Sequence, residues 1–103
     1  MIFDDDKKEI VFETPGGNSI TISDDKKGIV LKDMNSNKIE MNDSGIKITS
    51  QSAIEIKAAT DFKIAALSVK AEADTTAEIK GNAGAKVESS AILELKGAMV
   101  KLN

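Results

Sequence analysis

An all-β fold is predicted for this chain, and within that class an intertwined homotrimeric triple-stranded β-helix, a triangular prism with octad repeats. Three observations predict it. From Gly45 to Asn103 a five-residue pattern of apolar, any, apolar, any, small recurs at almost fixed steps. The outward charges of successive copies alternate in sign. The chain is also poor in large apolar surface, with 3% aromatic residues and neither Trp nor Tyr among 103 residues.

Residues 1–9 open on a short apolar triplet and then the charged run Asp4 to Glu9, which reads as a frayed, solvated lead-in. Residues 10–44 read as an irregular β segment. Its strands are Ile10-Val11-Phe12, Ile20-Thr21-Ile22, Ile29-Val30-Leu31 and Ile39-Glu40-Met41, each an apolar triplet or alternation bounded by turn residues. Thr14-Pro15-Gly16-Gly17-Asn18 stops the first, because Pro cannot donate to a ladder and Pro-Gly favours a turn. Ser23 to Gly28, Asp33 to Asn37 and Asn42 to Gly45 are the turns that follow.

From Gly45 the spacing locks, and residues 45–103 read as a regular shaft. Ile46, Ile48 and Ser50 form the first copy, followed by Ile54, Ile56 and Ala58, then Phe62, Ile64 and Ala66, then Val69, Ala71 and Ala73. Ala77, Ile79 and Gly81 continue it, with Ala85, Val87 and Ser89, then Leu93, Leu95 and Gly97, and a clipped copy of Val100 and Leu102. The step is eight residues, shortened to seven at Phe62 to Val69 and at Leu93 to Val100. An i, i+2, i+4 set puts three side chains on one face of a strand, whereas a helix would scatter them. Each copy is therefore a short strand, and the residues between copies are corners. Ile46, Ile48, Ile54, Ile56, Phe62, Ile64, Val69, Ala77, Ile79, Val87, Leu93 and Leu95 are expected to form the core. Repeats of this kind stack, since no single unit buries its apolar face alone.

The middle residues of successive copies read Lys47, Glu55, Lys63, Lys70, Glu78, Lys86, Glu94, Lys101. Neighbouring strands set such residues side by side, where opposite charges help and like charges hurt. In a three-sided helix wound from one chain, each strand stacks on the third one after it, and Lys47 meets Lys70, Glu55 meets Glu78 and Lys63 meets Lys86. When three identical chains wind together, each strand lies beside the next strand of a neighbouring chain. Then Lys63 beside Lys70 is the one like-charged contact, and it falls where the step shortens. A second outward row, Glu72, Lys80, Glu88, Lys96, alternates as well. An antiparallel meander also makes successive strands neighbours, but the corners lack the Asn-Gly or Asp-Gly pairs of tight hairpins, and a lone sheet would leave its apolar face uncovered. At about 4.8 Å per strand the shaft would be roughly 40 Å long.

This pattern resembles the C-terminal triple-stranded β-helix of the spike proteins of contractile injection machines: the VgrG proteins of type VI secretion and the related spikes of myophages. The resemblance rests on the octad copies, on their endings Ile79-Lys80-Gly81 and Leu95-Lys96-Gly97, on the stretch Ile10 to Ile22, and on the closing Val100-Lys101-Leu102-Asn103. It implies a mechanical, membrane-puncturing shaft. Its partners would be two further copies of itself, an upstream spike hub at the N-terminal end, and a PAAR-type tip protein at the C-terminal end. Met99, Val100, Lys101, Leu102 and Asn103 are the residues expected to meet that tip, because the last turn of a prism exposes apolar side chains and strand edges. The resemblance also implies assembly in a bacterial cytoplasm or a phage-like particle and delivery across a target envelope, whose membrane is crossed mechanically. The family's hub and oligonucleotide/oligosaccharide-binding domain do not fit in this length, so a shaft fragment or a shortened spike is expected.

Other chemistry finds little footing. The sequence has no Cys and no His, which removes thiolate sites and most acid/base constellations. Asp33-Met34-Asn35-Ser36-Asn37 begins like an EF-hand loop, but Lys38 stands where Gly belongs and Ser44 where the bidentate Glu belongs, so it reads as a polar turn. No enzymatic activity, cofactor or metal is expected. Arg is absent, and Asp and Glu against Lys run 10 to 6 over residues 1–44 and 7 to 8 over 45–103, so no basic patch invites nucleic acid. The competing function is a trimeric β-helical stem of a phage or secreted fibre that displays a receptor- or glycan-binding site. Such a stem would present surface aromatics or long loops, and the outer face here is Lys, Glu, Thr and Ala.

Overall fold

The computed structural model describes residues 2–6 and 8–103. It separates into two units, Met1–Phe62 and Lys63–Asn103. The first contains one six-stranded sheet in strictly sequential order: β1 (Ile2–Asp4), β2 (Glu9–Glu13), β3 (Ser19–Ser23), β4 (Gly28–Lys32), β5 (Lys38–Asn42) and β6 (Gly45–Thr49). All neighbours pair antiparallel. The all-β class holds, and the four strands read between residues 10 and 41 are β2 to β5.

The beginning of the chain differs from the expectation. Ile2–Asp4 is a strand, with Phe3 opposite Ile10 and Asp4 opposite Glu9. Asp4 and Glu9, the two ends of the charged run, are therefore paired strand residues and not part of a frayed lead-in. Asp5-Asp6-Lys7-Lys8 repeats the composition of the β3–β4 loop, Asp24-Asp25-Lys26-Lys27, and the Asp24 amide N–H donates to the Lys8 carbonyl at 3.0 Å. The first copy of the octad also differs in its setting. Its Ile46 and Ile48 lie on β6, opposite Met41 and Ile39 of β5.

Each of the five hairpin connections has a residue with positive φ at or next to its end: Lys8 (50°), Gly17 (104°), Lys27 (54°), Ser36 (68°) and Gly45 (126°). A left-handed residue at that position turns the chain back onto its own strand with the twist a hairpin needs. Three of them, Lys8, Lys27 and Ser36, carry a Cβ that this conformation crowds. Lys27→Gly is accordingly expected to stabilise the sheet by about 1 kcal/mol per chain, read as a higher midpoint in thermal unfolding followed by circular dichroism.

The register sorts the sheet into two faces. One carries two unbroken apolar rows. Phe12, Ile20, Leu31, Ile39 and Ile48 form one, and Phe3, Ile10, Ile22, Ile29, Met41 and Ile46 the other. The opposite face mixes Val11, Thr21 and Val30 with Glu40 and Lys47, and Lys38 Nζ lies 3.5 Å from Glu40 Oε1 on it. Beyond Thr49 the chain forms neither helix nor strand ladder, and residues 51–103 are all exposed.

Candidate association interface

Among the described residues nothing closes over the apolar rows, and Ala53, Ile54 and Glu55 border the open groove along the first of them. Phe12 is 44% exposed, Leu31 36%, Ile46 71% and Ile48 60%. Among the described residues no hydrophobic side chain is buried, and the one buried residue is Ser23, whose hydroxyl accepts from the Lys26 amide at 3.2 Å. The surface area makes the same point in bulk. A compact 10.9 kDa chain would expose roughly 5,600 Å², whereas this one exposes 10203 Å². The excess is of the size that obligate interfaces bury, about 2,000–5,000 Å² or more.

The expected core residues are all in this uncovered set. Ile54, Ile56 and Phe62 are each more than half exposed, as are Ile64, Val69, Ile79, Val87, Leu93 and Leu95 in the second unit, and Ala77 is exposed too. Among the described residues none of them is buried. The expected tip-facing residues Met99, Val100, Lys101, Leu102 and Asn103 are likewise exposed, with Met99 at 84% and Leu102 at 85%. Two ion pairs report the local geometry: Lys70 Nζ to Glu72 Oε2 at 3.3 Å and Lys86 Nζ to Glu88 Oε2 at 2.7 Å. Both join residues two apart, so the two outward rows stand on one side of an extended backbone.

Sequence reasoning read Asp33 to Asn37 as a polar turn and saw no more in it. The structure makes it a clasp. The Asp33 carboxylate accepts from the Asn35 and Asn37 amides at 2.9 Å each and from Asn37 Nδ2 at 2.9 Å. Asn37 Oδ1 then accepts from the Gln51 amide at 2.7 Å, tying the β4–β5 loop to the corner that follows β6. Asn18 acts alike two loops earlier, its Oδ1 accepting from the Met34 amide at 2.9 Å. The Asp-x-Asn-x-Asn spacing signals the turn, but nothing in it names Gln51.

The side-chain bond from Asn37, then the amides of Asn37 and Asn35 against some opposing desolvation, hold the Asp33 carboxyl below its ordinary value of 3.8. A depressed carboxyl stabilises the fold above its unfolded pKa and loses that contribution as pH falls through the folded one. Between about pH 5 and pH 2 the thermal midpoint of Asp33→Asn is therefore expected to fall less steeply than that of the parent chain.

Among the described residues no group of His, Cys, Asp or Glu is arranged to hold a metal ion. What the site can do is associate. An all-β repeat chain whose every apolar row lies bare, with polar clasps fixing its loops, belongs to the class of proteins that are completed by further chains. A family model matches residues 9–103, and the chain belongs to that family, the phage baseplate V C-terminal trimerisation domain. Comparison with curated proteins finds no match.

Proposed function

We propose that this chain is the structural, membrane-puncturing shaft of a spike in a contractile injection machine, working as a homotrimer. The observation that carries it is the absence of any buried hydrophobic side chain among the described residues of a trimerisation-domain family member. Three copies wound together would turn the apolar rows of the sheet and of the octads onto a common axis. Each octad strand would then lie beside the next strand of a neighbour, with Lys47 beside Glu55, Glu78 beside Lys86 and Glu94 beside Lys101. The backbone of residues 51–103, which has no ladder in its own chain, would find its partners there.

A shaft so built is stiff over residues 51–103, since its ladders there would be shared between chains. Its upstream end would join a spike hub. Its downstream end, from Met99 to Asn103, would seat a PAAR-type tip protein on the bare Val100 and Leu102 and the last strand edges. Assembly in the bacterial cytoplasm or within a phage-like particle, followed by mechanical passage through a target membrane, follows from that construction.

Sedimentation equilibrium without denaturant tests the reading. A mass near three times 10.9 kDa is the expected result. A monomer would return the Lys/Glu alternation to a single-chain sheet and end the spike reading.

A further inference from the structure

Strands that stack well in one register stack almost as well in the next. Sliding one copy of the chain along the trimer by a whole octad keeps every apolar side chain inward, because the parity of each residue is unchanged. The sheet carries little mark of position either, since Ile20, Leu31, Ile39 and Ile48 follow one another from strand to strand, aliphatic at each step. The ion pairs of Lys70 with Glu72 and of Lys86 with Glu88 lie within one chain, survive any slide and discriminate nothing. Axial position is therefore left to the outward charges that face one another between copies.

A strictly alternating row would reject only some of the wrong positions. A copy advanced by one octad meets like charges at most contacts. A copy advanced by two meets opposite charges again, because the alternation has a period of two octads. The row in this chain is not strict: Lys63 and Lys70 stand in successive octads, where the step shortens to seven residues. We propose that this repeated sign is a register key, which disfavours the two-octad slide. The inference rests on the trimer reading and adds what fixes the axial position of each copy.

With one copy advanced by two octads, one of its interfaces keeps the pairs of the correct register. At the other, each strand lies beside the third strand on. Lys47 then meets Lys70, Glu55 meets Glu78 and Lys63 meets Lys86, all like-charged, while Lys70 with Glu94 and Glu78 with Lys101 stay opposite. In a strictly alternating row all of these contacts would be opposite. One like-charged contact tolerated in register thus turns the shifted arrangement from matched to mismatched, a small loss of stability that selects a single structure. Lys63 and Lys70 are the specificity-determining residues of the assembly.

Glu55→Lys combined with Lys63→Glu tests the key. The double variant keeps the net charge of the parent chain and, in register, the same single like-charged contact, moved to residues 47 and 55. In the shifted arrangement the contacts of residue 55 with 78 and of residue 63 with 86 become opposite. Parent and variant are refolded as mixtures of nitrogen-15-labelled and unlabelled chains and treated with a carbodiimide, which joins a carboxylate to an amine in direct contact. Mass spectrometry then identifies the links between copies. Links of Glu78 with Lys86 report the correct register. Links of Lys70 with Glu94 and of Glu78 with Lys101 report the shifted one, because in register those pairs lie three strand spacings apart, about 14 Å. The substitutions alter none of these reporters.

The proportion of shifted to in-register links is expected to rise about fourfold or more in the variant, the effect of turning two like-charged contacts into opposite ones. Refolding the parent chain in about 1 M salt, which screens the charges, should raise the same proportion. An unchanged proportion in both experiments would overturn the key and leave the trimer standing. So would shifted links as abundant as in-register ones in the parent chain at low salt. A monomer by sedimentation would remove both readings.

Discussion

Ile79→Asp is expected to convert the trimer into a monomer. Ile79 is 91% exposed in the single chain, so a chain that worked alone would tolerate aspartate there and gain solubility. On a three-fold axis the same change brings three carboxylates into an apolar column. Each charge removed from water without a partner costs several kcal/mol, and the three repel one another as well. That exceeds what the neighbouring apolar copies can return, because a buried aliphatic side chain contributes only about 1.5–3 kcal/mol. The readout is sedimentation equilibrium, with the mass falling from near three times 10.9 kDa to 10.9 kDa. Lys80→Gln, one residue along on the outward side, should leave the trimer intact. Equal masses for Ile79→Asp and the parent chain would show that the inward row is not inward.

Glu78→Lys should destabilise the assembly by an amount that depends on salt. In the intertwined arrangement residue 78 lies between Lys70 of one neighbour and Lys86 of the other, and the substitution turns two favourable contacts per chain into like-charged ones. At roughly 0.2–1 kcal/mol for each pair, the six altered contacts of a trimer sum to a few kcal/mol. About 1 M salt shrinks the screening length to roughly 3 Å and should restore most of the loss. In a prism wound from one chain the same residue would lie between Glu55 and Lys101, and the substitution would exchange one like pair for another. Thermal midpoints at low and high salt separate the two windings, since the single-chain form predicts no net change at either.

Much of the sheet was legible because strand signals are local. Ile10 to Phe12, Ile20 to Ile22, Ile29 to Leu31 and Ile39 to Met41 each alternate or cluster apolar residues between turn formers, and each is a strand. The β1 strand escaped because Ile2-Phe3 is too short to signal by periodicity, and what holds it is pairing with β2 across a charged loop. The order of the strands was not legible either. It depends on which loops carry a left-handed residue at or next to their end, and Lys8, Lys27 and Ser36 are not residue types that announce one. The clasp from Asp33 through Asn37 to Gln51 spans residues 14 apart at its longer step, beyond the reach of any local pattern.

The sequence by itself determined the period, the two alternating sets of side chains and the charge alternation, because side-chain direction on an extended strand follows from residue parity alone. Ile54 and Ile56 share one side of the backbone for that reason, as Lys70 and Glu72 share one of their own. Only the tertiary structure decided that the first copy of the repeat is the last strand of an antiparallel meander, and that the chain ends its own sheet there. That decision depends on backbone conformation at the loops and on donors and acceptors brought together from distant residues. The tertiary structure also decided that no apolar row is covered within the described chain, since burial depends on what packs over a face and not on which residues compose it.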